Sequence, residues 1–117
     1  MTTNEGITIV SCSGASNTGK YSDEVARKLM QSGSYKMLCL ARFSVDKGFA
    51  EKSRNEISKL IVIDGCPINC AELTVKNSGI ADYIHVNTTD FDIIKGKTPV
   101  TDEKINEIVD HIINIKP

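Results

Sequence analysis

The four cysteines of this chain all end or follow short apolar runs that are typical of buried strands. They are Cys12, Cys39, Cys66 and Cys70. In an open parallel sheet, ligand sites form outside the carboxyl ends of the strands. If the runs are adjacent parallel strands, the four thiols converge on one small volume. Four convergent thiolates in a reduced protein indicate a soft metal ion, with zinc as the first expectation.

Cys66 and Cys70 flank a proline that predicts the start of a helix. Proline is favoured at the first helical position, so Pro67 predicts Cys66 as the N-cap and Cys70 one turn further on the same face. Both sulfurs would then lie near the positive end of the helix dipole, which stabilises thiolate. Cys12 opens a Gly/Ser/Asn-rich loop at 13–19 whose N–H groups would offset the charge of a tetrathiolate zinc.

Cys39 decides between two kinds of site, and both stay open at this stage. Free cysteine is often fully buried, and Cys39 lies inside an apolar run, so it is either the fourth ligand or a small core residue. Four thiolates close a zinc site, as in structural or metal-handling proteins, whereas three leave an open position at which catalysis is possible. An iron–sulfur cluster also accepts four cysteinates, although ligands this widely separated favour zinc.

The loop after Cys12 fits two other chemistries. Residues 14–20 match the first seven positions of a Walker A loop, but Tyr21 replaces the magnesium-binding Ser/Thr and Ser22 comes one position late. Alternatively, Cys12 is the nucleophile of an enzyme or a phosphocysteine carrier, which leaves the other three cysteines unexplained. Thr18 occupies the place of the arginine that low-molecular-weight phosphatases need. An atypical P-loop nucleotide binder and a Cys12 enzyme or phosphocarrier are therefore the alternatives to zinc binding.

Three other polar residues are assigned structural roles. Asp64 ends the third apolar run and suits an acceptor for loop N–H groups better than a zinc ligand. His85 is expected to form a hydrogen bond within the fold rather than to bind a metal. His111 lies near the end of the last predicted helix, where its charge suits the dipole.

These residues must be positioned by alternating strands and amphipathic helices, a pattern that predicts one α/β domain over residues 1–117. We expect a three-layer α/β/α fold with a doubly wound, four-stranded parallel sheet in the order 2-1-3-4. That order makes the three cysteine-bearing strands neighbours. The predicted strands are 7–10, 35–41, 60–63 and 82–86, and the predicted helices are 20–30, 44–56, 67–79 and 102–115.

The same segments resemble the DGC family, which is named for its Asp-Gly-Cys motif and regarded as a family of zinc-binding domains. The resemblance covers nearly the whole chain. It implies that Cys12, Cys39, Cys66 and Cys70 together bind one zinc ion, and it implies no particular reaction. The matching segments are V-S-C-S-G at 10–14, N-T-G at 17–19, C-L-A at 39–41, I-D-G-C-P at 63–67 and C-A at 70–71.

Composition excludes some function classes and suggests a compartment. The net charge of −1 and the lack of a basic patch argue against binding to nucleic acid or an anionic membrane. The first residues lack the basic and apolar regions of a signal peptide, and no apolar run approaches the length of a membrane span. We therefore expect a cytoplasmic protein, in which thiols stay reduced.

Overall fold

The computed structural model describes residues 6–115, which fold around one four-stranded sheet. The strands are Ile7–Ser11 (β1), Tyr35–Met37 (β2), Lys59–Asp64 (β3) and Ile84–Asn87 (β4). The helices are Asn17–Gln31 (α1), Arg42–Val45 (α2), Lys47–Glu56 (α3), Cys70–Asn77 (α4) and Asp102–Asn114 (α5), with a 3₁₀ turn at Thr88–Phe91. All strand pairs are parallel, in the order β2-β1-β3-β4. The predicted sheet and its order are confirmed.

Two hydrophobic cores lie on opposite faces of the sheet because successive strand residues point to opposite sides. One core contains Ile9 and Ile63 together with residues of α1 and α5. The other contains Val10 and Val62 together with residues of α2 and α4. The two central strands are therefore buried on both faces, as expected for a parallel sheet between two helical layers. Each fully buried aliphatic side chain of this kind contributes about 1.5–3 kcal/mol.

Two element boundaries on the β2 side differ from the sequence prediction. β2 ends at Met37 rather than near residue 41, because this edge strand pairs with β1 alone and the chain then turns into α2. The helix predicted at 44–56 is two helices, since Asp46 adopts an extended conformation between them. Asp46 caps α3, and its carboxylate accepts a hydrogen bond from the Phe49 N–H at 3.0 Å.

The first residue of α1 fastens this helix to the segment that leads into α5. The helix starts at Asn17, earlier than predicted. The Asn17 side-chain amide donates to the carbonyl oxygens of Ile94 and Thr98 at 3.0 and 2.7 Å. Its oxygen accepts a hydrogen bond from the Gly96 N–H at 2.7 Å. Donor and acceptor of one side chain thus hold both ends of this loop.

The last helix agrees closely with the prediction. Thr101 is its N-cap, with the hydroxyl accepting a hydrogen bond from the Lys104 N–H at 3.2 Å. Its stripe at Ile105, Ile108 and Ile112 is buried against α1 and the sheet. Among the helices of residues 6–115, none has the length and apolar character needed to cross a membrane.

Candidate metal centre

The sheet brings the cysteine-bearing segments to one edge. Cys12 directly follows β1, Cys66 and Cys70 follow β3, and Cys39 lies two residues beyond β2. Because β1 lies between β2 and β3, all three chain segments end side by side at the carboxyl edge. All four thiols are free. Cys39 is exposed, so the possibility that it is a core residue is excluded.

Cys12 is held beside the end of β3. Its N–H donates to the carbonyl oxygen of Ile63 at 2.9 Å, so the β1–β3 ladder continues one residue past β1. Burial raises the pKa of the Cys12 thiol, and the charges of Asp64, Cys70 and Cys66 raise it further, in that order. Without a cation, thiolate is therefore disfavoured at Cys12. Cys66 and Cys70 therefore lie within electrostatic range of Cys12.

The cysteine-bearing segments meet at one edge of the sheet, but among the described residues their thiols do not form a coordination sphere. Within residues 6–115, no three His, Cys, Asp or Glu side chains are arranged as a preassembled metal-ligand group. Cys39 lines a cavity of about 340 Å³ that is also lined by Ser11 and Ser13, the two residues flanking Cys12. Cys39 therefore borders the segment around Cys12 from the β2 side, although Cys12 itself does not line this cavity.

Helix α4 begins at Cys70, so the prediction of a start at Pro67 with Cys66 as N-cap is wrong. Residues 66–69 form a turn in which the Asn69 N–H donates to the Cys66 carbonyl oxygen at 3.2 Å. Asn69 has the left-handed angles φ 58° and ψ 47°, which asparagine tolerates better than most residues and which interrupt a right-handed helix. Only Cys70 therefore lies in the first turn of the helix.

Asp64 caps α4 from the end of β3. Its Oδ1 accepts a hydrogen bond from the Ala71 N–H at 2.8 Å, and its Oδ2 accepts one from the Glu72 N–H at 3.0 Å. The side chain is only 1% exposed. A carboxylate at this position satisfies two amide groups that the helix cannot pair internally and complements the helix dipole. The predicted role of Asp64 as an acceptor for backbone N–H groups is confirmed.

His85 extends this network across β4. Its Nε2 lies 2.8 Å from Asp64 Oδ2, which confirms the expected hydrogen bond within the fold. On the other side of the ring, Nδ1 lies 3.9 Å from Glu72 Oε2. Glu72 Oε2 also accepts a hydrogen bond from the Tyr83 hydroxyl at 3.0 Å. Sequence reasoning missed Glu72 and Tyr83, although the two-residue spacing of Tyr83 and His85 places both on one face of a strand.

Gly65, the central residue of the Asp-Gly-Cys motif, packs directly on the start of α1. A Cβ atom at Gly65 would lie 2.5 Å from the Thr18 carbonyl oxygen and 2.9 Å from the Gly19 nitrogen. Both neighbours are backbone atoms, so no change of side-chain rotamer can relieve the contact. The glycine therefore permits the turn carrying Cys66 to contact the loop that follows Cys12.

The observed contacts do not favour the two rival interpretations of this loop. The Tyr21 hydroxyl donates to the Pro99 carbonyl oxygen at 2.6 Å and accepts from the Thr101 N–H at 3.1 Å, so it points toward α5. The buried Ser22 hydroxyl lies against the carbonyl oxygens of Cys12 and Gly19. Both hydroxyls are bonded to backbone groups, and neither takes the place of the magnesium-binding hydroxyl of a P-loop. Burial also raises the pKa of Cys12, which disfavours the thiolate form that a nucleophilic cysteine uses.

Comparison with known proteins agrees with these motifs. The chain is 21% identical over 87 residues to the anaerobic and virulence modulator AnvM of Pseudomonas aeruginosa. That alignment covers 74% of this chain and 66% of the relative, so the chain spans just under two thirds of the relative's length. No solved structure matches the chain. The DGC domain matches residues 8–112, which is most of the sequence, and the chain therefore belongs to the DGC domain family.

Proposed function

We propose that this protein binds one zinc ion through Cys12, Cys66 and Cys70, with Cys39 as the fourth ligand. The observation that carries the proposal is the placement of the cysteine-bearing segments at one edge of the sheet, where Cys12 follows β1 and Cys66 and Cys70 follow β3. After burial and the charge of Asp64, the charges of Cys70 and Cys66 also raise the pKa of Cys12. A divalent cation among the sulfurs reverses this effect, since it stabilises each thiolate in place of a proton. The donor set also fits zinc, which prefers four thiolates in closed sites.

Zinc binding then requires a local adjustment, because the residues around the thiols hold no preassembled ligand group within 6–115. Exposed side chains supply the freedom for it. Cys70 and Cys39 are both exposed, and Cys39 borders the cavity shared with the two neighbours of Cys12. We expect the metal to draw these two side chains toward the half-buried sulfurs of Cys12 and Cys66.

A closed tetrathiolate favours a structural or metal-handling role over hydrolysis, because it leaves no position at which zinc can activate water. The name of the relative AnvM describes a modulator and mentions no reaction. A binding protein is consistent with that description. If Cys39 does not bind, three thiolates leave an open position, and the same site becomes suited to catalysis.

The test is metal content combined with stability. Purified protein reconstituted with zinc is expected to hold about one equivalent, and a chelator is expected to lower its melting temperature. X-ray absorption at the zinc edge is expected to count four sulfur ligands. Protein that retains no zinc and melts at the same temperature with and without chelator would contradict the proposal.

Single Cys→Ser variants separate the ligands. Cys12→Ser, Cys66→Ser and Cys70→Ser are each expected to weaken zinc binding by at least about tenfold. Cys39→Ser is the informative comparison because Cys39 is exposed and its replacement leaves the core intact. A fall from four sulfur ligands to three in this variant identifies Cys39 as a ligand. An unchanged sulfur count excludes it and favours the open, three-thiolate site. Thermal melts in chelator check that each variant still folds.

A further inference from the structure

We propose that His85 Nδ1 and Glu72 Oε2 bind a second divalent cation, at a nitrogen–oxygen site separate from the thiols. Both side chains are about one-fifth exposed, His85 at 22% and Glu72 at 21%, so they are held by the fold yet reachable from solvent. The inference depends only on these contacts, and it holds whether or not the cysteines bind zinc.

The hydrogen bond to Asp64 fixes which imidazole nitrogen is available. A carboxylate can only accept, so the hydrogen atom in the 2.8 Å contact with Asp64 Oδ2 belongs to His85 Nε2. In the neutral ring, Nδ1 then carries the lone pair. Metal-binding histidines in proteins have this arrangement, in which a carboxylate orients the ring through the nitrogen that does not bind the metal.

The two proposed ligand atoms lie close together. His85 Nδ1 lies 3.9 Å from Glu72 Oε2, which is too far for a hydrogen bond even if Nδ1 is protonated. Zinc binds imidazole nitrogen at about 2.0–2.1 Å and carboxylate oxygen at about 2.0–2.2 Å. At the tetrahedral angle those two ligand atoms are separated by about 3.4 Å. A rotation of Glu72 that moves its oxygen by about half an ångström meets this requirement.

The surroundings hold both ligands, and a groove borders His85. The Tyr83 hydroxyl donates to Glu72 Oε2 at 3.0 Å, and the Glu72 N–H is fixed by Asp64. His85 lines an open groove of about 310 Å³. The other residues lining this groove are neutral or acidic: Pro67, Asn69, Asn87, Thr89 and Asp90. With two protein ligands, water completes the coordination sphere, and imidazole with carboxylate suits zinc, nickel or cobalt.

The experiment is a cobalt(II) titration of the full chain followed by two independent signals. Ring-proton NMR shifts report cobalt beside His85, and the near-ultraviolet sulfur-to-cobalt absorption reports cobalt on thiolates. His85→Gln and Glu72→Gln are expected to weaken binding at the nitrogen–oxygen site by at least about tenfold, as equilibrium dialysis measures it. His111→Gln is the matched control, because His111 is the other histidine of the chain. It lies in the second half of α5, where its ring makes an edge-to-face contact with Phe91 at 5.1 Å between centroids.

The outcomes separate this site from the thiols. Shifts at His85 that persist in Cys66→Ser and Cys70→Ser but are lost in Glu72→Gln support the proposal, even if no sulfur absorption appears. Shifts that disappear together with the sulfur absorption in the cysteine variants assign the ion to the thiols and overturn it. An unperturbed His85 at cobalt concentrations up to about 1 mM, where even weak binding is detected, also overturns it. Glu72→Gln keeps its backbone N–H for Asp64, and a thermal melt checks its folding.

Discussion

Replacing Gly65 by alanine tests how the turn that carries Cys66 is held against the rest of the fold. The added Cβ would lie 2.5 Å from the carbonyl oxygen and 2.7 Å from the carbonyl carbon of Thr18. It would also lie 2.9 Å from the nitrogen of Gly19. Since all three atoms belong to the backbone, no change of rotamer relieves the contact, and the turn must separate from the start of α1.

The expected cost follows from that separation. Inserting one methyl group into a packed interior costs about 1–3 kcal/mol, and backbone neighbours place Gly65→Ala at the upper end of this range. We therefore expect a loss of about 2–3 kcal/mol in the free energy of unfolding, and a fall in melting temperature of about 8–15 °C for a domain of this size. The same shift moves Cys66 away from Cys12, so zinc binding is expected to weaken as well.

Urea unfolding in the presence of chelator, followed by circular dichroism, measures the change in the free energy of unfolding without any contribution from metal. Gly14→Ala is the matched control, because a Cβ at Gly14 has no atom within 4 Å and the backbone there is not left-handed. That variant is expected to be as stable as the original or slightly more so. Equal stability of the two variants would refute the inference that Gly65 is required by close packing.

Four further substitutions test other parts of the structure. Tyr35→Phe removes a buried hydroxyl that has no partner among residues 6–115, so it should raise the free energy of unfolding in urea by about 1 kcal/mol. Tyr21→Phe loses two hydrogen bonds and should lower the same free energy by about 1–2 kcal/mol. A Tyr21→Phe variant that is more stable than the original would contradict this account. Asp64→Ala leaves two amide groups of α4 and the His85 ring unpaired, with an expected loss of about 2–4 kcal/mol and faster hydrogen exchange at Ala71. The hydrogen bond from the Phe49 N–H, and then the one from Arg42, lower the pKa of Asp46 in the folded protein. The Asp46 carboxylate therefore stabilises the fold fully at pH values above its unfolded pKa of about 4, and this contribution is lost as the pH falls through the lower pKa of the folded state. Asp46→Asn keeps a capping oxygen but cannot be protonated, so the urea midpoint of this variant should depend less on acid pH. A pH profile identical to that of the original protein would contradict this prediction.

The sheet could be predicted from the sequence because its signals are local and repeated. Continuous apolar runs at β1 and β3 marked the central strands, and the connections between strands then allowed few topologies. The carboxyl-edge position of the cysteines followed directly. The structural role of Asp64 was also predictable, because a carboxylate directly after a buried strand commonly accepts loop N–H groups.

The start of α4 was not predictable by the same reasoning. Pro67 is a signal for the first helical position. The observed start is instead fixed by Asp64, at the end of β3, whose carboxylate accepts hydrogen bonds from two N–H groups in the first turn of α4. That contact depends on the end of β3 lying beside α4, which is tertiary information. Asn69 was the local signal that could have indicated a left-handed residue before Cys70.

The rest of the site depends on contacts between distant segments. Glu72 and Tyr83 carry no motif, and they meet only because the residue before β4 lies beside α4 in the folded chain. The exposure of Cys39 could not be predicted, because the neighbouring residues are apolar and extend the pattern of a buried strand. The sequence does not show that β2 ends at Met37, before Cys39. Edge strands with one partner end early more easily than central strands, which have two.

The hold of Asn17 on residues 94–98 gives the two sides of the cysteine edge different mechanical properties. On the α5 side, any outward movement of the chain must break three hydrogen bonds to a single side chain at once. On the β2 side, Cys39 lies in a short connection beyond the last paired residue of an edge strand. If the thiols bind an ion as proposed, we therefore expect the segment around Cys39 to adjust more than the segment held by Asn17.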